Sequence, residues 1–155
     1  MFGDLKDDAI ETVLHHQIIG HVGCHSDDTT YVVPISYAYE NGCIYGHTHE
    51  GMKIKMMRQN PKVCFETYSM ENMGNWQSVI AWGEFEEITD EKERSAALHI
   101  LLKRDLPIIT SKTVQLTSEW PFVPENLNTI KGIVFRIKLT TKTGRYERTE
   151  DINWW

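Results

Sequence analysis

An Asn-Gly pair between two runs of β-forming residues places the strongest constraint on how this chain can fold. The stretch TTYVVPISYAYENGCIYGHT, residues 29–48, has Asn41-Gly42 near its centre, and this dipeptide suits the positive φ values of a two-residue hairpin turn. Such a turn fixes the strand register. The predicted opposing pairs are Glu40 with Cys43, Ala38 with Tyr45, and Ser36 with His47.

The two faces of this predicted hairpin differ in polarity. One face is nearly apolar and is expected to face the core: Val33, Ile35, Tyr37, Tyr39 and Ile44. The other face brings the hydroxyl of Ser36 and the imidazole of His47 together at the open end of the hairpin, which predicts a pocket wall there. Pro34 has no N–H to donate, so its position indicates an edge, a bulge or interrupted pairing.

The length of the chain predicts a single domain over residues 1–155, because 155 residues suffice for one hydrophobic core and are few for two. Helical periodicity and capping residues predict helices, and β-branched and aromatic runs predict further strands. Helices are expected at 7–17, from Gly51 onward and at 90–104, and strands at 18–26, 62–69, 77–89 and 132–148. This order favours an α+β protein, mainly β, with a small antiparallel barrel.

Composition excludes several classes of function. The formal net charge of −6 disfavours general attraction to nucleic acid or to an anionic membrane. The first residues lack a basic leader and an apolar signal core, and no apolar run is long enough to span a bilayer, so a cytoplasmic location is expected. Cys24, Cys43 and Cys64 are odd in number and form no Cys-x-x-Cys pair, which favours reduced thiols.

The stretch IYGHTHEGMKIKMMRQNPK, residues 44–62, carries the most chemistry. Alternating His47 and His49 resemble the metal-binding histidines of β-barrel proteins such as cupins. That resemblance implies a Glu ligand a few residues later, but Lys53 stands there and Glu50 is too close to replace it. We therefore predict no metal, with ordinary polar or core histidines as the interpretation. The basic residues that follow form one short helix in an acidic protein, which is too small a footprint for nucleic acid.

A phosphate site accounts for more of this stretch. The helix that starts near Gly51 offers unpaired backbone N–H groups to an anion. Lys53 lies in its first turn, and the imidazole of His47 and the hydroxyl of Thr48 lie just upstream. The alternative is a solvated basic helix face made of Lys53, Lys55, Arg58 and Lys62, and the residues alone leave both interpretations open.

Two aromatic features are weaker signals. Trp76 and the neighbouring Ser78 could border a flat ligand, although a Trp at a strand start is more often part of a core or an interface. Trp154 and Trp155 end the sequence with large apolar surface, which either docks on a partner or pocket or frays. The residues do not decide between these alternatives.

The ordered motifs of residues 31–68, YVVPISYAYENGCIYGHTHEGMKIKMMRQNPKVCFETY, resemble a known family. They comprise a V-V-P-x-S-Y strand, an N-G turn, an I-Y-x-H strand, a G-x-K helix start and an N-P-x-V strand. This combination resembles the FMN-binding split-barrel superfamily, in its pyridoxamine 5′-phosphate oxidase-related branch, which includes the nitroimidazole-resistance (Nim) proteins. The resemblance extends from the first helix through the strand at 77–89 and the helix after it.

The resemblance implies a six-stranded antiparallel split barrel with flanking helices, forming a homodimer with FMN in a groove between the subunits; FAD is possible in the same groove. Residues of the proline-bearing strand would run along the flavin ring, and His47 and Thr48 would lie beside the flavin or its ribityl phosphate. Lys53 would pair with the phosphate. Trp76 and Ser78, from the partner subunit or from the same one, would close another side of the flavin site. The implied cofactor-binding residues are Val33, Pro34, Ile35, Ser36, His47, Thr48, Lys53, Trp76 and Ser78.

The implied function is that of an oxidoreductase that exchanges electrons with small molecules, with a nitroaromatic compound as one candidate acceptor. No catalytic acid or base is nominated, because the flavin carries the chemistry. The alternative is a flavin or heme carrier without turnover. Many relatives have Arg where this chain has Met52, so Lys55 or Arg58 would have to replace one phosphate contact. The carboxyl end lacks the substrate elements of vitamin B6 oxidases, which favours another reaction.

Overall fold

The computed structural model describes residues 1–107, 114–118 and 123–149; Trp154 and Trp155 lie outside these ranges. Within them the chain forms three α-helices and eight β-strands. The helices are α1 (Asp7–His16), α2 (Met52–Gln59) and α3 (Glu91–Leu102). The strands are β1 (Phe2–Asp4), β2 (Ile19–Ser26), β3 (Thr29–Ser36), β4 (Ala38–Glu40), β5 (Cys43–Thr48), β6 (Lys62–Asn72), β7 (Asn75–Glu87) and β8 (Ile133–Arg148).

The strands form one antiparallel sheet in the order β3-β2-β6-β7-β8-β5-β4, with β1 added alongside β8. Strands β3 and β4 follow each other in the chain but lie at opposite ends of this order. The extended segment 29–40 therefore joins both ends of the sheet and closes it into a barrel. This confirms the α+β class with an antiparallel barrel.

The number of strands differs from the six that the resemblance implies. Two additions account for the eight: β1 pairs with β8, and the first hairpin strand is divided into β3 and β4. The division falls at Tyr37, whose backbone N–H donates to the carbonyl of Ile18 at 2.9 Å. The buried phenol of Tyr37 donates to the carbonyl of Leu14 at 2.8 Å, so this residue ties the barrel seam to α1.

The Asn-Gly turn is confirmed, since Asn41 and Gly42 have φ values of 51° and 74°. Two predicted pairs are also confirmed: Ala38 with Tyr45, and Glu40 with Cys43. The predicted pairing of Ser36 with His47 is wrong. Ser36 pairs with Ile19 of β2 instead, because the chain changes its partner strand at Tyr37.

The helices cover the barrel with their apolar side chains. Helix α1 buries Ile10, Val13 and Leu14, and α2 buries Ile54, Met56 and Met57. Helix α3 starts where the sequence predicts, because the carboxylate of Asp90 accepts a hydrogen bond from the backbone N–H of Glu93 at 3.1 Å. Among the residues that the structure describes, no helix is long and apolar enough to cross a membrane.

Candidate functional site

A small cavity lies where the end of β3, the end of β5, the start of α2 and the residues after α3 meet. Its volume is about 80 Å³. The residues that line it are Pro34, Ile35, Ser36, His47, Thr48, Lys53, Arg104, Val114 and Phe135. Six of the nine predicted cofactor-binding residues are therefore brought to one place by the fold of a single chain.

The strands place these side chains through local packing. His47 and Thr48 end β5, where they pair with Val134 and Ile133 of β8. A Cβ atom on the preceding Gly46 would lie 2.4 Å from Cζ of Phe135, so glycine is what allows this buried ring to pack behind β5. Pro34 lies in β3, the outermost strand at one end of the sheet order, as its missing N–H predicts.

The imidazole of His47 is held in one orientation. Its Nε2 lies 2.6 Å from the carbonyl oxygen of Lys131, and a carbonyl only accepts, so Nε2 carries the proton. Burial lowers the pKa of His47 and outweighs the hydrogen bond to Lys131, which raises it, and this favours the neutral ring. Its Nδ1 is then an acceptor, and this buried atom has no hydrogen-bond partner among the described residues.

Two cationic side chains line the same cavity without a carboxylate partner in the described part of the chain. Burial lowers the pKa of Lys53 and lowers the pKa of Arg104 to about 10. The guanidinium of Arg104 donates from Nε to the carbonyl of Leu101 at 2.8 Å and from Nη1 to the hydroxyl of Ser36 at 2.6 Å. Both partners are neutral, so the described side chains give the cavity an excess of positive charge.

Arg58, a predicted substitute for the missing contact at Met52, is engaged elsewhere. Its guanidinium donates to the carboxylates of Glu50 and Glu87 at 2.8 to 3.0 Å. Lys55 is exposed on the outer face of α2 and does not line the cavity. The second cation of the site is therefore Arg104, which the sequence patterns do not single out.

Three predicted site residues lie away from this cavity in the single chain. Val33 pairs with Val22 of β2. Trp76 donates from Nε1 to the carboxylate of Glu147 at 3.0 Å, and Ser78 lies opposite Tyr68. A role for Trp76 and Ser78 in closing the site from a partner subunit stays a prediction.

The size and chemistry of the cavity limit what it can hold. Its volume of about 80 Å³ is well below the roughly 300 Å³ at which pockets for whole small molecules begin. It suits a single anionic group, and the rest of a larger ligand would lie outside it. Within the described ranges, no group of three His, Cys, Asp or Glu side chains could hold a metal ion.

Residues 6–146 match the model of the protein family described as pyridoxamine 5′-phosphate oxidase. One curated relative, an uncharacterized protein of Rhizobium meliloti (strain 1021), is 34% identical over 70 residues. That alignment covers 45% of this chain and 46% of the relative, which is less than half of the relative's length.

Solved structures share the architecture over almost the whole chain. An FAD-binding protein from Mesorhizobium loti is 28% identical, with a TM-score of 0.72 and coverage of 94% of this chain and 98% of that one. A candidate 5-nitroimidazole antibiotic resistance protein from Bacteroides thetaiotaomicron is 21% identical, with a TM-score of 0.73 and coverage of 94% and 87%. An FAD-binding protein from Mycobacterium smegmatis is 22% identical, with a TM-score of 0.67 and coverage of 96% and 100%.

Proposed function

The chain belongs to the pyridoxamine 5′-phosphate oxidase family, and on that premise we propose that it is a flavoprotein that binds FMN or FAD. One observation carries the proposal: Lys53 and Arg104 line one cavity and have no carboxylate partner among the described residues. Both side chains are half-buried, and a cation that loses part of its contact with water is costly unless an anion compensates it. A flavin phosphate would supply that anion. The FAD-binding protein from Mesorhizobium loti, at 28% identity, supports the choice of a flavin.

The residues of the cavity fit such a ligand by their chemistry. Lys53 and Arg104 would hold the phosphate, and Nδ1 of His47 would accept a hydrogen bond from a ligand hydroxyl. The segment Pro34–Ser36 would run along the ring, together with Val33. The flavin would supply electron or hydride transfer at its ring. The chain itself would bind it, orient it and exclude water from one side.

The proposed reaction is the oxidation and reduction of small molecules. The fold shared with the candidate nitroimidazole-resistance protein makes nitroaromatic compounds the first acceptors to test. Under anaerobic conditions, NADH or NADPH is expected to reduce the bound flavin, and a nitroaromatic compound or a quinone to reoxidise it. Failure with every donor would favour a carrier that binds flavin without turnover.

The proposed assembly is a homodimer in which the partner closes the flavin groove. A row of side chains crosses the outer face of the sheet from β3 to β7, through Val32, Cys64 and Trp82. Val32 is 64% exposed and Trp82 is 44% exposed, and apolar side chains grouped in this way are typical of interfaces. Trp76 and Ser78 are proposed to reach the groove of the partner subunit.

The oligomeric state can be measured by light scattering during size-exclusion chromatography. The protein is expected to elute as a dimer, and Trp82→Arg is expected to shift it toward the monomer because a charge cannot be buried there without a partner. A dimer that Trp82→Arg leaves intact would contradict the assignment of this face. The proposal also includes a single domain and a cytoplasmic location, which the three free thiols support.

The flavin proposal is tested most directly on the purified protein. Its visible absorption spectrum is recorded after gentle purification, and the released chromophore is identified by mass, which also distinguishes FMN from FAD. A protein purified without chromophore is titrated with each flavin. No uptake of either flavin would refute the proposal.

A further inference from the structure

Most cationic side chains with a described partner in this protein are compensated by acids. Arg58 pairs with Glu50 and Glu87, and Arg136 pairs with Glu86. The chain has 22 acidic residues against 16 Lys and Arg, so carboxylates are plentiful. The positive charge at the cavity of Lys53 and Arg104 is thus a local exception in an acidic protein.

The position of Arg104 suits an anion better than a purely structural role. Two of its donors are used by the neutral partners Leu101 and Ser36, and these bonds hold the plane of the guanidinium at the cavity. Its Nη2 has no hydrogen-bond partner in the described part of the chain. A planar guanidinium with donors to spare can bind two oxygens of one phosphate in parallel.

We propose that Arg104 is the second phosphate anchor of the bound nucleotide and acts together with Lys53. This inference rests on the proposed function, because it names a residue that binds the phosphate of the proposed flavin. Lys53 belongs to α2, and Arg104 follows the end of α3 by two residues. The two cations therefore approach the cavity from different elements. Together they select a phosphorylated flavin over riboflavin, which lacks the phosphate.

Dissociation constants for FMN and riboflavin, measured by quenching of flavin fluorescence, test this selection. Arg104→Gln is expected to weaken FMN binding by about tenfold to a hundredfold, the usual cost of losing hydrogen bonds to a charged group. Riboflavin binding is expected to change much less than FMN binding, since riboflavin lacks the phosphate and Arg104 would act on it only through its bond to Ser36. The matched control is Lys103→Gln, which removes an exposed charge from the adjacent position and is expected to leave both constants unchanged.

Three results would overturn the role of Arg104. Unchanged FMN affinity in Arg104→Gln would remove the anchor, and equal losses for FMN and riboflavin would indicate a general disturbance of the site. An altered midpoint potential of the flavin with unaltered FMN affinity would place the guanidinium against the ring. Should Arg104→Gln fail to fold, Arg104→Lys replaces it and is expected to weaken FMN several-fold, because an ammonium lacks the planar fork; unchanged affinity there would also overturn the proposal.

Binding of inorganic pyrophosphate separates this inference from the flavin proposal. Line broadening in ³¹P NMR spectra is followed as the wild-type protein and Arg104→Gln are each added to pyrophosphate. If the wild type binds neither flavin yet binds pyrophosphate through Arg104, the flavin proposal fails and the phosphate anchor stands. If the wild type binds flavin but pyrophosphate binding is the same with and without Arg104, the anchor is refuted.

Discussion

His47 should make the free energy of unfolding depend on pH in a defined window. Burial lowers the pKa of this imidazole in the folded protein, whereas in the unfolded chain it lies near the usual value of about 6.5. Above that pH the ring is neutral in both states and contributes no pH dependence. Below it the unfolded chain takes up a proton that the folded protein resists, so stability falls as the pH decreases toward the folded pKa.

The size of the effect follows from proton linkage. One proton bound only by the unfolded state changes the free energy of unfolding by at most about 1.4 kcal/mol per pH unit. Between about pH 6.5 and 5.5 the expected loss stays below this limit, because the unfolded imidazole is only half charged at the start and the folded ring takes up protons itself as the pH nears its own lowered pKa. Carboxylates contribute little here, since their usual pKa values lie near 4.

The measurement is urea denaturation at several pH values for the wild type and for His47→Gln. The amide of Gln has an N–H group to offer the Lys131 carbonyl but does not titrate, so this variant is expected to lose the decline assigned to His47. His99→Gln removes an exposed histidine of α3 and is the matched control, since it keeps His47 and its decline. Parallel stability profiles for the wild type and His47→Gln would refute an imidazole that resists protonation in the folded protein.

Two further predictions concern the phosphate site and the packing behind it. Lys53→Ala is expected to weaken flavin binding by more than Lys62→Ala does, because Lys53 lines the cavity and Lys62 does not; equal dissociation constants would count against the phosphate site. Gly46→Ala is expected to cost about 1–3 kcal/mol in urea denaturation, because the new Cβ would lie 2.4 Å from the Phe135 ring. Gly51→Ala is its control, since a Cβ there meets no atom within 4 Å. If both variants lose the same free energy of unfolding, the contact between the new Cβ and Phe135 is relieved at no cost.

The sequence predicts those parts of the fold that depend on neighbours in the chain. Asn41 and Gly42 set the turn through their own φ values, and Asp90 caps α3 through an amide three residues away. The predicted pairing of Ser36 with His47 was wrong because the actual partner of Ser36, Ile19, lies in a strand outside the hairpin. A hairpin register extrapolated from the turn cannot include the change of partner strand at Tyr37.

The candidate site likewise combines residues that a local motif predicts with one that it does not. Residues from Pro34 to Lys53 meet at the cavity because one hairpin and the helix after it carry them, and a short ordered motif is enough to predict that. Arg104 comes from the end of a distant helix, where a basic residue has an ordinary local role at the last carbonyls. Its place beside Ser36 follows from barrel closure, which no local pattern encodes.

The segment that closes the barrel also carries the proposed ring contacts, and this has a consequence for the lifetime of the folded state. Residues 29–40 connect the two ends of the sheet. A ligand bound at Pro34–Ser36 would therefore stabilise the closed barrel. Loss of that molecule would free the seam to open, exposing β2 and β5 to proteases and to aggregation. Cofactor supply would then govern how long the protein survives as well as whether it works.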